Sequence, residues 1–367
     1  MKNSFGSNLT VTLFGESHGP AVGAVLDGLC PGLPVDEAAI AAQLAKRSPQ
    51  TEADTARREP DRFEIISGVF EGHTTGTPLC LLIRNEEARS GDYTYGPARP
   101  SHADYPAFIK YHGFEDYRGG GHFSGRVTAA IAAAGGILLP ALEKKGIRIG
   151  THILRCAGAG DEPFAENAAA LTVQLDQLNA KSFPVLNDEA GKAMTAQILA
   201  AREEKDSVGG ITETVISGLP AGLGEPWFDS VEGLLAHAVY SLGGVKGVEF
   251  GLGFGFAAEK GSRANDPYRL DGAGNIVTES NHNGGILGGI TTGMPVLFRC
   301  AVKPPSSIAQ PQNTVDFLRG EETVLTLSGR HDPTILRRIC PVLDSLAALV
   351  SADLLTGRFG CDWFIKE

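Results

Sequence analysis

At 367 residues, with 42% apolar and 20% charged side chains, the chain is long enough for one large domain or two and too apolar to be disordered. A net charge of -11 excludes a broad nucleic-acid-binding face, so an anionic ligand must be met by a local group of cations working against the overall field. Six scattered cysteines, without CxxC or metal-ligand spacing, point to buried thiols in a reducing compartment and hence to a cytoplasmic protein.

In chain order, residues 1–13 are polar and lack a signal-peptide pattern. Residues 8–14 (NLTVTLF) form a β-like run that stops at Gly15, and Asp36 opens a helical stretch that reaches Lys46. Residues 63–69 and 78–83 read as strands joined through a turn at 72–76. The Ala-rich stretch 126–145 is helical, with interruptions expected at Gly135-Gly136 and Pro140. Its apolar run, 131–142, is shorter than the roughly 18 residues a membrane span requires, so no membrane partner is expected. The polar stretch 158–180 reads as a surface insertion. Beyond it come an amphipathic helix at 188–205, an alternating strand at 210–217 and a helix at 229–241. Residues 245–256 are glycine-punctuated and strand-like, with GLGFG (251–255) as a tight β packing site. A long apolar helix at 335–355 tolerates Pro341 near its start. Helices and strands mix without a βαβ period, which makes the fold class α+β. No linker divides residues 1–367, so a single domain is expected, and no repeat recurs at 20–50 residues.

Glycine makes up 47 residues, nearly twice the usual roughly 7%, and concentrates in loops that carry ionisable side chains. Five such segments stand out: 15–19 (GESHG), 99–104 (RPSHAD), 118–126 (RGGGHFSGR), 284–307 and 328–333 (SGRHDP). The run 118–126 leads a glycine loop into a helix start, where free N–H groups favour an anion. Lys303-Pro304-Pro305-Ser306-Ser307 adds a cation, a stiff turn and two hydroxyl donors, all suited to phosphate. Singly, a glycine loop is most often a turn, and His18 a hydrogen-bonded loop residue. Their joint occurrence in one chain carries the weight. His73, His112, His152, His237 and His282 have no motif around them and read as packing or surface residues.

The ordered set FGESHG (14–19), RREPD (57–61), SGVFEG and TTGTP (67–78), RPSHADY (99–105), RGGG (118–121), LPAGLGEP (219–226), VKGVEFG (245–251), NHNGGILGGI (281–290), KPPSSI (303–308) and GRHDP (329–333) resembles chorismate synthase over nearly the whole chain. The resemblance implies a β-α-β sandwich built from two related halves, and a homotetramer. It implies a 1,4-anti elimination of phosphate from 5-enolpyruvylshikimate 3-phosphate, with reduced FMN required and no net redox change.

By the same resemblance, His18 is the acid at the leaving phosphate, His102 sets the protonation of the reduced flavin, and Asp332 orients the flavin where the substrate proton is lost. Imidazoles suit the first two tasks because their ordinary pKa of about 6.5 lies near working pH. Arg47, Arg126 and Arg338 are implied in binding substrate or NADPH. His122, Phe123, Ser124, Gly243, Gly244, Gly288, Lys303, Pro304, Pro305, Ser306, Ser307 and Arg330 are implied in holding the cofactor. Two departures stand out. The family usually follows RGGG with Arg-Ser-Ser-Ala-Arg-Glu, where this chain has His122-Phe123-Ser124-Gly125-Arg126-Val127, and Ala53 replaces a second substrate-loop arginine beside Arg47. The sequence leaves open whether NADPH reduces flavin on this chain or a separate flavin reductase does so.

Overall fold

The computed structural model describes residues 2–54, 61–86, 94–327 and 332–366. Two five-stranded antiparallel sheets enclose a layer of helices. The first sheet runs in the order Ser4–Phe5, Thr10–Gly15, Ala21–Asp27, Leu79–Arg84, Phe63–Ser67. The second runs Val245–Phe250, Val296–Val302, Gly210–Ser217, Arg148–Cys156, Ala159–Gly160. The helices are α1 (Glu37–Arg47), α2 (Asp104–Tyr111), α3 (Thr128–Glu143), α4 (Ala168–Asn179), α5 (Asp188–Glu203), α6 (Val231–Tyr240), the one-turn α7 (Gly261–Ala264) and α8 (Leu336–Phe359).

Period-two burial makes the first sheet one wall of the core: Val22, Ala24 and Leu26 on one strand face Leu79, Leu81 and Ile83 on its neighbour, all fully buried. α3 packs on that wall, α8 packs on the second sheet, and α1 lies against both helices. Gly125–Glu143, which is α3 with the turn before it, and α8 are long and apolar enough to cross a bilayer, yet most of each is buried inside the protein. α3 is apolar all round, as the central layer of a sandwich requires, whereas α8 also buries Arg337 and Asp353.

The break expected in α3 does not occur. A Cβ on Gly135 would stand 2.1 Å from Ser345 Oγ, and one on Gly136 2.5 Å from the Ile40 Cα. The two glycines therefore bring α8 and α1 close to the α3 axis while the helix continues. Pro140 falls in the last turn, where its carbonyl still accepts from Lys144 N at 3.1 Å. Two further expectations are corrected. The strand at 245 stops at Phe250, because Gly251 and Gly253 take φ near +55° and lead into a 3-10 turn at Gly253–Ala258, so GLGFG is not a β packing site. Residues 158–180 are not a surface insertion either. They contain α4, capped by Asn167, whose Leu171, Leu175 and Leu178 form a second core with Phe164, Leu186 and Val215. Helices α1, α5, α6 and α8 stand where the periodicity places them, with Asp36 capping α1 through Ala38 N at 2.8 Å, whereas the short α2 and α7 were not expected.

Candidate active site

Gly119, Gly120 and Gly121 all have positive φ (59°, 83° and 53°), a run that side-chain-bearing residues cannot sustain. A Cβ on Gly119 would lie 2.2 Å from His18 Cε1, and one on Gly120 would lie 3.2 Å from His102 Cε1. The bare backbone thus passes between two imidazoles that the sequence places far apart. His18 is buried, and the Ser17 hydroxyl is shared between its Nδ1 at 3.0 Å and the carbonyls of Arg118 and Gly119, each at 3.2 Å. Ser17 N donates to Gly121 O at 3.1 Å, which ties the histidine loop to the glycine loop.

His102 stands in a turn whose Ser101 has φ 59°. Its Nδ1 meets Asp104 Oδ1 at 2.7 Å, and Arg99 binds the same carboxylate through Nη2 at 2.6 Å and Nε at 2.8 Å. Burial works to raise the Asp104 carboxyl, but the hydrogen bonds from Arg99 and His102 outweigh it and hold the group well below the usual carboxylate range. Lys303 Nζ donates to Ser101 O at 2.7 Å, and Lys303 N donates to Gly244 O at 2.8 Å. Burial, with the charge of Lys246 beside it, lowers the pKa of Lys303.

From these two histidines a closed circuit of contacts can be followed through the molecule. Beyond Lys303, Pro305 O accepts from Ser207 Oγ at 2.7 Å, and Val208 N donates to Pro333 O at 2.8 Å. Asp332 Oδ2 accepts from Arg338 Nη1 at 2.6 Å, and Arg338 Nε donates to Arg47 O at 3.1 Å. Arg47 and Arg126 both bind the buried carboxylate of Asp61, Arg47 at 3.0 Å. Arg126 Nε then donates to Asn85 Oδ1 at 2.9 Å, and Asn85 Nδ2 returns to the carbonyls of Glu16 and Gly19 at 2.9 and 2.8 Å, on either side of His18. Asp332 Oδ1 is buried on this circuit without a hydrogen-bond partner among the described residues. An unsatisfied buried polar atom costs about 1–3 kcal/mol, and a bound group that donates to it would recover that cost.

The structure therefore gathers His18, His102, Asp332, Arg47, Arg126, Arg338, Lys303, Pro304, Pro305 and Gly244 along one path. Gly243 precedes Gly244 directly, and Ser306 and Ser307 continue the Lys303 loop. Arg47 and Arg126 are buried and heavily engaged by Asp61, Thr128, Gly125 O and Arg84 O, which gives them a share in holding the site together. His122 Nδ1 donates to Gly15 O at 2.8 Å and anchors the glycine loop to the first sheet. Phe123 is 43% exposed with its edge toward Tyr111, and Ser124 Oγ accepts from Arg126 N at 3.3 Å. Gly288 tops a hairpin turn bonded to the 222–231 segment. Arg330 lies outside the described residues. Ala53 is buried in the core, next to Asp54, which binds Arg337 at 2.7 Å. Asp61, Arg99 and Asp104 stand in motifs quoted from the sequence, RREPD and RPSHAD, without a role assigned to them there, and Asn85 lies in none of those motifs.

A cavity of about 240 Å³ lies apart from this circuit, between α1, α3, α4 and the strand Arg148–Cys156. Asp344 on its wall is surrounded by protein apart from that opening, and burial pushes its carboxyl up to about 6.

Comparison with known proteins gives a consistent result. The family model described as chorismate synthase matches residues 9–356. A chorismate synthase of Methanocella arvoryzae is 45% identical over 96% of this chain and 93% of that protein. One of Pyrococcus abyssi is 46% identical over 96% and 97%. A crystal structure of chorismate synthase superposes with a TM-score of 0.76 at 29% identity, covering 97% of this chain and 94% of the other.

Proposed function

The chain belongs to the chorismate synthase family and carries out its carbon–oxygen lyase reaction in the shikimate pathway, and we propose that the circuit through Gly119–Gly121 is where that reaction takes place. The reaction is the 1,4-anti elimination of phosphate from 5-enolpyruvylshikimate 3-phosphate to give chorismate. The observation that carries the site assignment is the glycine backbone threaded between His18 and His102.

The substrate bears a phosphate and two carboxylates, so an acidic protein must gather cations to meet it. Lys303 and Arg338 supply that charge, and Arg47 and Arg126 stiffen the wall behind them. His18 is the group we assign to protonate the departing phosphate. Its burial excludes water, which strengthens each charge interaction made there.

Reduced FMN fits the residues present. Lys303 and the serines beside it suit a phosphate, and Asp332 Oδ1, without a partner among the described residues, lacks a donor that a bound group can provide. His122, Phe123, Ser124, Gly243, Gly244 and the 303–307 loop are the residues we assign to hold it, with Arg330 beyond the described residues. Such a flavin supplies a transient electron that is recovered within the turnover, so no net oxidation occurs. The chain's own part is to hold the His102 imidazole and the Asp332 carboxylate at fixed positions and to keep solvent out. NADPH is assigned as the source of reduced flavin, used on this chain or by a separate reductase.

We also propose one domain of two related halves, supported by a main core that spans both sheets. A cytoplasmic homotetramer is supported by exposed aromatic rings at Phe114, Trp227, Phe228 and Phe254, which a monomer would leave in water. Anaerobic turnover with reduced FMN and 5-enolpyruvylshikimate 3-phosphate should release phosphate and chorismate together. His18→Ala should lower turnover roughly 10²–10⁴-fold, and Asp332→Asn should lower it more than a few-fold with no matching loss of thermal stability. Full turnover in either variant would remove that residue from the mechanism.

A further inference from the structure

We propose that Asp104 is the positioning residue of His102, held ionised by Arg99, so that the imidazole keeps its proton on Nδ1 and presents Nε2 to the glycine loop. The proposal rests on the reading of His102 as an active-site group. All acceptor positions of the carboxylate are occupied. Oδ1 takes His102 Nδ1 at 2.7 Å and Arg99 Nη2 at 2.6 Å, and Oδ2 takes Arg99 N at 2.9 Å and Arg99 Nε at 2.8 Å. An ionised carboxylate only accepts, so the proton between it and the ring resides on Nδ1, and Arg99 Nη2, which stands 3.0 Å from the same nitrogen, directs its hydrogen to Oδ1 at the shorter 2.6 Å. Four donors leave it no vacancy for a proton of its own.

The backbone alone does not settle which way the ring faces. His102 N donates to Arg99 O at 3.1 Å in a tight turn, but the terminal torsion of a histidine is soft, and a flipped ring would fit the same turn. Asp104 removes that freedom. On the other edge, a Cβ at Gly120 would come within 3.3 Å of Nε2, so Nε2 is the nitrogen turned toward the loop. Among the described residues the charged groups around the ring are Asp104 and Arg99, whose charges offset each other, and Lys303, which reaches the turn through Ser101 O. The imidazole thus receives a direction from its carboxylate with little net field.

The test reads the tautomer and the turnover separately. In histidine-¹⁵N-labelled protein at pH 8, with His102 assigned by its loss in His102→Gln, solid-state NMR should show the Nδ1–H form. In Asp104→Asn the amide oxygen stays with Arg99 and the amide nitrogen faces Nδ1. The ring should then switch to Nε2–H, with kcat falling about 10²–10⁴-fold and KM within a few-fold. Arg99→Gln should keep the Nδ1–H form and move the acidic limb of kcat to higher pH, because the carboxylate loses its counter-ion. An Nε2–H ring in the native protein, or an Asp104→Asn protein that keeps both tautomer and turnover, overturns the proposal. If Asp104→Asn fails to fold, the native tautomer and Arg99→Gln decide it by the same criteria. Full turnover in His102→Gln would instead reject the active-site reading of His102, while the tautomer result still judges the placement.

Discussion

Two clusters in this chain combine a histidine, carboxylate and arginine, and they are put together differently. At the glycine loop, His102 spends Nδ1 on Asp104 and turns Nε2 toward Gly120, with about a fifth of its side chain exposed. On the second sheet, His152 is fully buried and both its nitrogens are taken, Nδ1 by Asp161 and Nε2 by Glu213, each at 3.1 Å. Arg299 binds Glu213 at 2.8 Å, and Phe164 covers the ring with its edge, 4.6 Å between centroids. Chemical composition does not separate the two clusters. A histidine with one nitrogen left over can exchange a proton with a ligand, and one with both committed can only hold the fold.

The sharpest test of that contrast exchanges the readouts. His102→Gln should cost turnover by about 10² or more and leave stability nearly unchanged. His152→Gln should do the reverse. Removing one member of a buried charged cluster costs about 3–5 kcal/mol, because Asp161 and Glu213 are left facing a neutral group. Turnover per folded molecule should stay within a few-fold. A His152 variant that melts like the native chain but has lost activity would break the comparison.

A pH series sharpens it at somewhat smaller scale. Burial opposes charge on His152, but the hydrogen bonds to Asp161 and Glu213 outweigh it and raise its pKa above 6.5. A raised histidine contributes stability that is complete below 6.5 and is lost as pH rises through the folded value. Asp161 and Glu213 are shifted down and contribute the opposite dependence on the acid side. Calorimetric stability should therefore decline on the alkaline side in the native chain, and that decline should flatten in His152→Gln.

The smallest effect concerns a carboxylate whose partners, the Thr151 hydroxyl and the Lys46 charge, do not outweigh its burial. Asp344, raised from 3.8 to about 6, costs nothing while protonated in both states and destabilises the fold once pH passes through both values. Asp344→Asn should accordingly stabilise the protein at pH 7.5 by up to about 3 kcal/mol and change little at pH 3.5. Equal gains at both pH values would show that packing against the cavity, and not charge, sets the cost.

Much of this was legible in the residues, because local chemistry writes itself locally. Asp36 before an amphipathic run announces the start of α1, and alternation at 210–217 announces a strand. The glycine-bracketed histidine loops and the ordered motifs identified the family. Other elements could not be read this way. Gly135-Gly136 look like a helix break until α8 and α1 are seen pressed against them. The leucines of α4 look like part of a polar insertion until the outer face of the second sheet is there to receive them.

The division at the site follows the same physical line. By itself the sequence determined which side chains could do the chemistry: imidazoles at 18 and 102, a carboxylate at 332, and cations in glycine- and proline-stiffened loops. Only the tertiary structure decided which of them meet. It threaded Gly119 and Gly120 between the two histidines, joined Arg47 to Arg126 through Asp61, and left one oxygen of Asp332 unpartnered among the described residues while committing both nitrogens of His152. Residue type and backbone preference act over a few neighbours. Hydrogen-bond satisfaction and burial depend on what the rest of the chain brings alongside, and those decide which ionisable groups retain the capacity to react.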